Sequence, residues 1–268
     1  MLRLAVHGAN DSRLQEIACR LRGVRLDVGQ SPSGDAAVFF APPLDAIEPY
    51  LHANKPVLVA LDNGLTTERL QTLSDLVRNA SASLLVANPD RYLPSRQVIR
   101  LQLDKLGAPG LIRIHRWEPS EPSPVRGRLD PRDLDSVIWY FGTTPNVVHA
   151  VAHARGTQVH LGFPNGGMAL IDQAMVPPGD SYYSLSVICA SGAVYADDHP
   201  NMQLIYQGGS PSAVRALEGV PWAALVQDFL DSINAGSVQH PHWQTAILIA
   251  EAVEASLRTK QAVSLGES

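Results

Sequence analysis

The stretch "DAAVFFAPPLDAIEPYLHANKPVLVAL", residues 35–61, indicates the architecture of the first part of the chain. It opens with an apolar run at 35–43, which two prolines end, and it closes with a second apolar run at 56–61. Short apolar runs bounded by such residues are typical of buried strands. The segment between them is interpreted as a helix. Because parallel strands need a crossover connection, this order predicts two parallel strands joined by a helix.

The same alternation of strand and helix continues on both sides of this stretch. Further strands are predicted at 2–8, 24–28 and 82–88, and further helices at 11–23, 67–80 and 95–107. In the first of these helices apolar residues recur at helical spacing, and Gly23 can end it. The order predicts a parallel sheet covered by helices, hence a Rossmann-like unit over residues 1–109.

From residue 110 onward the pattern changes. Strand-like segments dominate residues 146–207, after a strand at 110–119, a proline-rich loop and a helix at 132–142. Their alternation of apolar and polar residues predicts an antiparallel sheet with one buried face. Two helices, 222–236 and 243–259, close the chain. Residues 110–268 are therefore predicted to form a second, α+β domain.

Composition limits the classes of function and partner. The chain has 268 residues, of which 45% are hydrophobic and 18% charged, which is typical of a globular protein with a buried core. The formal net charge is −5 and no cluster of Lys and Arg stands out, so nucleic acid is not expected as a partner. No run of about 18 apolar residues predicts a membrane span. Two distant cysteines and no apparent leader favour a cytoplasmic location.

Several stretches resemble the Gfo/Idh/MocA-type oxidoreductase family, in matching order over nearly the whole chain. They are residues 35–43, 54–77, 84–115, 133–151 and the segment from 229 to 263. The resemblance implies an N-terminal dinucleotide-binding domain and a second domain whose open antiparallel sheet binds substrate and often mediates oligomers. The expected fold is a two-domain α+β fold, with a truncated Rossmann-like parallel sheet followed by a large, mainly antiparallel open sheet with helices.

The cofactor motif of that family is degenerate here. In place of its G-x-G-x-x-G turn stands "HGANDSRL" (7–14), which keeps Gly8 and puts Asp11 where a phosphate would approach. A carboxylate stabilises a helix N-terminus but would repel a pyrophosphate there. Asp27 either mimics the family's ribose-binding acid or simply ends a strand. No cofactor is expected, and NAD(P) is the cofactor if the family function is retained.

A deletion also shortens the first domain. The family places a helix, a strand and another helix before the strand equivalent to 35–43, whereas only residues 29–34 intervene here. Six residues span at most about 20 Å, and a helical crossover needs about a dozen or more. Either the connection runs back in an extended form, or the strand at 24–28 pairs antiparallel. The missing segment normally helps to wall the adenosine site.

The family's catalytic residues are replaced. Its Glu-Lys-Pro turn corresponds to Ala60, Leu61 and Asp62, and leucine cannot act as a general acid or base. The His of its Asp-x-x-x-His motif corresponds to Arg132, which stays protonated and cannot act as a base. Asp130 replaces the family's Asp only if the loop is one residue shorter. No catalytic residue is therefore predicted.

Two polar clusters are candidate metal sites. Asp197, Asp198 and His199 are adjacent, but neighbouring strand residues point to opposite faces, and the string is also strong turn chemistry. His240 and His242 precede a helix, and a loop that packs around the following tryptophan is the favoured interpretation. No metal is expected.

One set of residues forms a candidate ligand pocket. Arg113, His115 and Trp117 alternate along one strand face. Arg91 and Tyr92 resemble a basic–aromatic pair that borders the substrate cleft in the family. The candidate pocket comprises Arg91, Tyr92, Arg113, His115 and Arg132. Converging arginines would favour an anionic or polyhydroxylated ligand, whereas solvated surface arginines are an equally good interpretation.

Three functional hypotheses follow. The first is a non-catalytic binding or structural subunit that has lost NAD(P)-dependent activity, forming a homo-oligomer through the open sheet or a hetero-oligomer with an active paralogue. The second is an enzyme of altered chemistry acting on a sugar-like or polyhydroxylated small molecule. The third is an ordinary oxidoreductase in which Lys55 or His52 supplies the missing group.

Overall fold

A computed structural model gives the architecture. It describes residues 1–9, 11–27, 34–40, 44–61, 67–78, 83–119, 129–176, 182–197, 202–207, 210–215, 221–236 and 243–266. The strands are β1 (Leu2–His7), β2 (Val24–Asp27), β3 (Ala36–Phe40), β4 (Val57–Ala60), β5 (Leu84–Ala87), β6 (Pro109–Pro119), β7 (Val147–His153), β8 (Gly156–Gly162), β9 (Met168–Val176), β10 (Tyr182–Cys189), β11 (Gly192–Asp197), β12 (Met202–Gln207), β13 (Ser210–Arg215) and β14 (Val263–Ser264). The helices are α1 (Asp11–Arg20), α2 (Glu48–His52), α3 (Thr67–Arg78), α4 (Pro94–Leu106), α5 (Pro131–Phe141), α6 (Pro221–Asn234) and α7 (Trp243–Thr259).

The chain forms two compact units. The first comprises Met1–Leu93 and Val220–Ile247, and the second comprises Pro94–Gly219 and Leu248–Ser268. This division differs from a single boundary near residue 110, because α4 groups with the second unit and α6 with the first.

The first unit contains a five-stranded, wholly parallel sheet in the order β2-β1-β3-β4-β5. Apolar side chains of α2 and α3 pack on one face with the beginning of α7, and those of α1 and α6 pack on the other. Burial on both faces explains why these strands are continuous apolar runs. The antiparallel alternative for residues 24–28 is wrong, since β2 pairs with β1 in parallel.

The second unit contains a nine-stranded sheet in the order β13-β12-β11-β10-β6-β9-β8-β7-β14. The pair of β6 and β9 is parallel, and the other pairs are antiparallel, which confirms the expected mainly antiparallel sheet. Along β8 the odd-numbered residues are buried and the even-numbered ones only half-buried. This alternation indicates one face in the core and one open face.

None of the helices in the described ranges has both the length and the apolar character needed to cross a membrane.

Candidate functional site

The carboxyl ends of β1 and β3 mark the point where the strand order reverses, which is where open parallel sheets bind ligands. Gly8 follows β1 with a φ of 73°, and a Cβ atom on it would lie 2.0 Å from the carbonyl oxygen of Phe40. Glycine is therefore required by the approach of the protein's own backbone. Helix α1 begins at Asp11. The backbone conformation and the nearby Phe40 carbonyl therefore account for a glycine at position 8 without a bound phosphate.

An aromatic cluster that sequence reasoning did not identify lies beside Gly8. The His7 ring stacks on Phe39 with 4.5 Å between ring centroids and an interplanar angle of 10°. Its Nε2 atom lies 2.9 Å from the hydroxyl oxygen of Tyr50 on α2, within hydrogen-bond distance. The sequence signal for this cluster was only a polar residue at the end of an apolar strand, because the partners are distant along the chain.

The His7–Tyr50 pair is uncharged at neutral pH. Burial lowers the pKa of the His7 imidazole below its ordinary value. Burial, together with the negative charge of Asp27, raises the pKa of the Tyr50 hydroxyl. Asp27 is half-buried at the end of β2, and its negative charge acts on the Tyr50 hydroxyl. The pair can donate or accept a hydrogen bond as neutral groups.

The position that resembles the family's catalytic lysine belongs to the hydrophobic core. Leu61 is wholly buried and belongs to a cluster with Val59, Val86, Leu70 and Leu73. Its backbone N–H donates to the carbonyl oxygen of Ala87 at 2.8 Å, which extends the pairing of β4 with β5. The neighbouring Asp62 lies outside the described residues. Within the described part of the chain, position 61 presents no proton donor to a ligand.

The two residues considered as replacements for the lysine precede β4. Lys55 lies with its Nζ atom 5.9 Å from the ring centre of Tyr50. His52 is exposed on α2, and its Nε2 lies 3.9 Å from a carboxylate oxygen of Glu48. The strands of a parallel sheet share their carboxyl edge, and both residues come before the amino end of β4. This placement does not support either residue as the missing acid.

Arg91 and Tyr92 lie in a short 3-10 turn, Pro89–Tyr92, that follows β5. The buried Asn88 side chain caps this turn by accepting a hydrogen bond from the Asp90 N–H at 3.0 Å. The Tyr92 hydroxyl donates to the carboxylate of Asp228 on α6 at 2.6 Å. Tyr92 therefore helps to fix α6 against the first sheet.

In the second unit, a buried ion pair joins the sheet to α5. The Arg116 guanidinium donates from Nε and from a terminal nitrogen to the two carboxylate oxygens of Asp133, at 2.8 and 2.7 Å. Gln173 on β9 donates to the same carboxylate at 2.6 Å. Burial raises the pKa of Asp133, and the Arg116 charge opposes that rise. The fork geometry is that of an ionised, bidentate pair.

Tyr183 adds a cation–π contact to this network. Its buried ring lies between the guanidinium groups of Arg96 and Arg116, at 4.2 and 4.7 Å from the ring centre. Burial raises the pKa of its hydroxyl well above the ordinary value. Arg96 comes from α4, so the network connects α4, α5 and the sheet. Because these buried groups contact one another, the cluster holds α4 and α5 on the sheet.

Arg132, at the position that resembles the family's histidine, is held by carboxylates. The Asp130 side chain caps α5 by accepting from the Arg132 N–H at 2.9 Å, and it also pairs with the Arg132 guanidinium. Glu118 lies 3.6 Å from the same guanidinium. Burial opposes ionisation of Asp130, but the hydrogen bond from Arg132 and the Arg116 charge hold its pKa below the usual value. Arg132 thus helps to hold Asp130, the residue that caps the N-terminus of α5.

The structure does not bring the predicted pocket residues of this unit together. Arg113 and His115 project from β6 on the open face, whereas Arg116 and Glu118 project from the other face, where Arg132 also lies. The prediction that Arg113 and Arg132 converge on one ligand is therefore corrected, because strand alternation puts Arg113 on one face of the sheet and Arg132 lies on the other. Arg91 and Tyr92 belong to the other compact unit.

The open face carries a band of polar side chains. His115 and His153 approach Asp172 from two sides, with nitrogen–oxygen distances of 3.4 and 3.5 Å. His149 and His160 are directly opposite each other on β7 and β8, with ring centroids 6.0 Å apart. Burial and the neighbouring His149 lower the pKa of His160.

Apolar side chains flank this polar band. Trp117 packs against Tyr182 with 5.1 Å between ring centroids, and 40% of Trp117 is exposed. Met168, Ile188 and Tyr195 are exposed on the same face. The predicted alternation of Arg113, His115 and Trp117 on one face is confirmed. A face with this mixture resembles a protein–protein interface, in which aromatic residues, Met and Arg are enriched.

No group of His, Cys, Asp and Glu side chains in the described ranges could hold a metal ion. Asp197 ends β11, and Asp198, His199, His240 and His242 lie outside the described residues.

Solved structures show the same fold. A myo-inositol dehydrogenase from Corynebacterium glutamicum is 16% identical, with a TM-score of 0.77 over 100% of each chain. A UDP-N-acetylglucosamine 3-dehydrogenase from Acidithiobacillus ferrooxidans is 20% identical, with a TM-score of 0.74 over 96% of this chain and 98% of its own. An oxidoreductase from Agrobacterium radiobacter, in complex with NAD+, L-tartaric acid and magnesium, is 12% identical, with a TM-score of 0.77 over 98% of each chain.

These similarities establish the fold. The chain has the two-domain α+β fold of Gfo/Idh/MocA-type oxidoreductases, which confirms the resemblance found in the sequence at the level of architecture. No protein-family model and no curated protein matches the chain.

Proposed function

We propose that this chain is a Gfo/Idh/MocA-like protein that has lost NAD(P)-dependent hydride transfer and acts as a non-catalytic, self-associating subunit. The burial of Leu61 is the observation that carries the proposal. A proton donor must reach the reacting hydroxyl at about hydrogen-bond distance, and the side chain at this position is in the core.

Two further observations support the loss of cofactor binding. The backbone approach of Phe40 accounts for the one glycine retained from the dinucleotide motif. His7 and Tyr50 occupy the adjoining part of the sheet with a neutral hydrogen-bonded pair. Neither feature supplies the cradle of backbone N–H groups that binds a pyrophosphate. The described residues therefore do not fit NAD(P) in the manner of the family.

Titration calorimetry with NAD+, NADH, NADP+ and NADPH tests this part of the proposal. We expect no saturable heat with any of the four at micromolar concentrations. Saturable binding of one of them in the low micromolar range would contradict the loss of the cofactor site. The same four cofactors mixed with myo-inositol should give no change in absorbance from nicotinamide reduction or oxidation.

The open face of the second sheet supports the proposed self-association. Its apolar residues surround a band in which Arg113 and Asp172 carry opposite charges on neighbouring strands. In an isologous pair of copies each contact occurs twice, so a contact between Arg113 of one copy and Asp172 of the other would be formed in both directions. A second copy of this chain is therefore the occupant proposed for the face, and an active paralogue is the alternative outcome.

Sedimentation analysis of the purified chain, with two matched variants, tests the self-association. Trp117→Glu places a charge in the centre of the proposed interface and should weaken the association by at least about tenfold. Leu101→Glu alters a side chain that is 63% exposed on α4 rather than on the sheet, and it should have no effect. A monomeric wild-type chain, or an equal effect of both substitutions, would contradict the proposal.

A second candidate function is an enzyme of altered chemistry for a polyhydroxylated small molecule. It is favoured by the His7–Tyr50 pair, which lies at the carboxyl edge and can donate or accept a proton. Similar structures include a myo-inositol dehydrogenase and a UDP-N-acetylglucosamine 3-dehydrogenase. Calorimetric binding of an inositol or a sugar that disappears in Tyr50→Phe but survives in Tyr92→Phe would favour this candidate.

A further inference from the structure

Four of the nine histidines of the chain lie on the open face of the second sheet. The open-face belt is defined as these four residues with the two charged residues beside them: His115, His149, His153, His160, Arg113 and Asp172. The strand register puts them on neighbouring strands β7, β8, β9 and β6. Side chains on one face of adjacent strands are close enough to interact, so a charge on one residue of the belt acts on its neighbours.

The charge of the belt depends on its histidines. While they are neutral, Arg113 and Asp172 balance each other. Asp172 is placed between His115 and His153, and its single negative charge can offset only one imidazolium. Protonation of all four histidines would therefore leave the belt with a net charge of +4, which follows from the charges of the six residues.

On β9 the Asp172 carboxylate lies diagonal to His160, two residues from its direct partner Leu170, and it is already contacted by His115 and His153. A polar contact of the His149–His160 pair is the uncharged Gln158, whose side-chain oxygen lies 3.1 Å from the His160 Nε2. On the same cross-strand row, Leu170 separates His160 from Arg113. On the other side β14 brings Val263 and Ser264, which carry no titratable side chain.

We infer that protonation of the open-face belt separates copies of this chain, so that self-association through the open face is strong near neutral pH and weak in acid. This inference rests on the proposed pairing of two copies and specifies how that pairing is regulated. An isologous interface brings the belts of both copies together, so each added proton is repelled by charges on two chains.

The direction of the pH dependence follows from linkage. Burial and His149 already lower the pKa of His160 in the single chain, so His160 is neutral at neutral pH. A second copy would bury the pair further, and burial disfavours the charged imidazole. A histidine whose pKa falls on association binds protons better in the free chain, so association weakens as the pH falls through that pKa. Each unit of pKa change on one histidine weakens association about tenfold at low pH.

The charge of the whole molecule does not predict this loss of association. The formal net charge is −5 with all nine histidines neutral, and nine protons would bring it to +4. Because the two charges have nearly the same magnitude, repulsion between whole chains is similar at the two limits. Weaker association in acid would therefore identify a local effect of the belt.

Sedimentation equilibrium of the full chain at about pH 8 and about pH 5.5, on either side of the ordinary histidine pKa of about 6.5, tests the inference. The wild-type dissociation constant should rise at least tenfold in acid, which corresponds to a fall of about one unit in the pKa of one histidine on association. The variant His149→Gln, His160→Gln should lose most of that rise. His52→Gln, on α2, is the control and should behave as wild type. Circular dichroism at both pH values confirms that each chain remains folded.

A second variant, His149→Lys with His160→Lys, imitates the protonated pair. It should associate weakly at both pH values. Tight and pH-independent association of the wild type, still broken by Trp117→Glu, would overturn the switch and leave the proposed interface standing. A chain that is monomeric at both pH values would overturn both proposals. A pH dependence that is unchanged in the glutamine double variant would also overturn the switch.

Discussion

Replacing Leu61 by lysine tests whether this position belongs to the core or to a catalytic cleft. The side chain is wholly buried among Val59, Val86 and the apolar residues of α3. An ammonium group there would lose its hydration. Buried lysines titrate with pKa values of about 5–6, far below the ordinary value of about 10.4.

The expected magnitude follows from that shift. A lysine with so low a pKa is neutral at about pH 7 in the folded chain, and removing its proton at that pH costs about 1.36 kcal/mol for each of roughly 3.4 pH units, or about 4.6 kcal/mol. Domains of this kind have a free energy of unfolding of about 5–15 kcal/mol. Leu61→Lys should therefore remove a large part of the stability.

Urea unfolding, followed by far-UV circular dichroism, measures this loss. The folded-state pKa is lowered, so the penalty grows as the pH falls below about 10.4 and shrinks to about 1 kcal/mol near pH 10. Leu61→Met, which nearly conserves volume, is the control and should cost less than about 1.5 kcal/mol. A lysine variant as stable as the methionine variant at neutral pH would show that position 61 faces solvent, and would refute the reasoning.

Two other pairs of substitutions test the structure with matched controls. Arg116→Ala strands a buried carboxylate and should cost about 3–5 kcal/mol, whereas Arg113→Ala, on the exposed face of the same strand, should change stability by less than about 0.5 kcal/mol; similar losses would contradict the assignment of faces. Gly8→Ala puts a Cβ 2.0 Å from the Phe40 carbonyl oxygen and should cost at least about 3 kcal/mol. Gly23 has a similar φ of 72° with nothing near it, so Gly23→Ala should cost only about 1–2 kcal/mol in thermal unfolding.

The order of strands and helices could be predicted because each has a local signal. Apolar runs ended by proline or glycine gave β3 and β4, and helical spacing gave α1 and α3. The sequence could reduce the number of alternative strand pairings but could not choose among them, because register and direction depend on contacts between distant segments. The parallel pairing of β2 with β1 was one of two alternatives that the short connection left open.

The candidate site was predicted less well than the fold. The sequence predicted that Arg113 and His115 share a face, but not that the helix bearing Arg132 covers the other one. A usable signal was present, because Arg116 follows the apolar Ile112 and Ile114 at a spacing of two residues, lies on the same face of the strand and therefore points into the core. A buried arginine demands a buried acid, which α5 supplies. The His7–Tyr50 pair had no such signal, since it depends on where α2 packs.

At position 61, which resembles the position of the family's lysine, the backbone as well as the side chain belongs to the sheet. The Leu61 N–H donates to Ala87 and so continues the ladder of β4 beyond its last residue. Continued strand geometry puts Val57, Val59 and Leu61 on one face of the sheet, where all three are buried. A side chain that reaches a ligand from this position would require the chain to leave the sheet one residue earlier. Lysine alone at position 61 is therefore not expected to restore hydride transfer, even at a pH at which the variant folds.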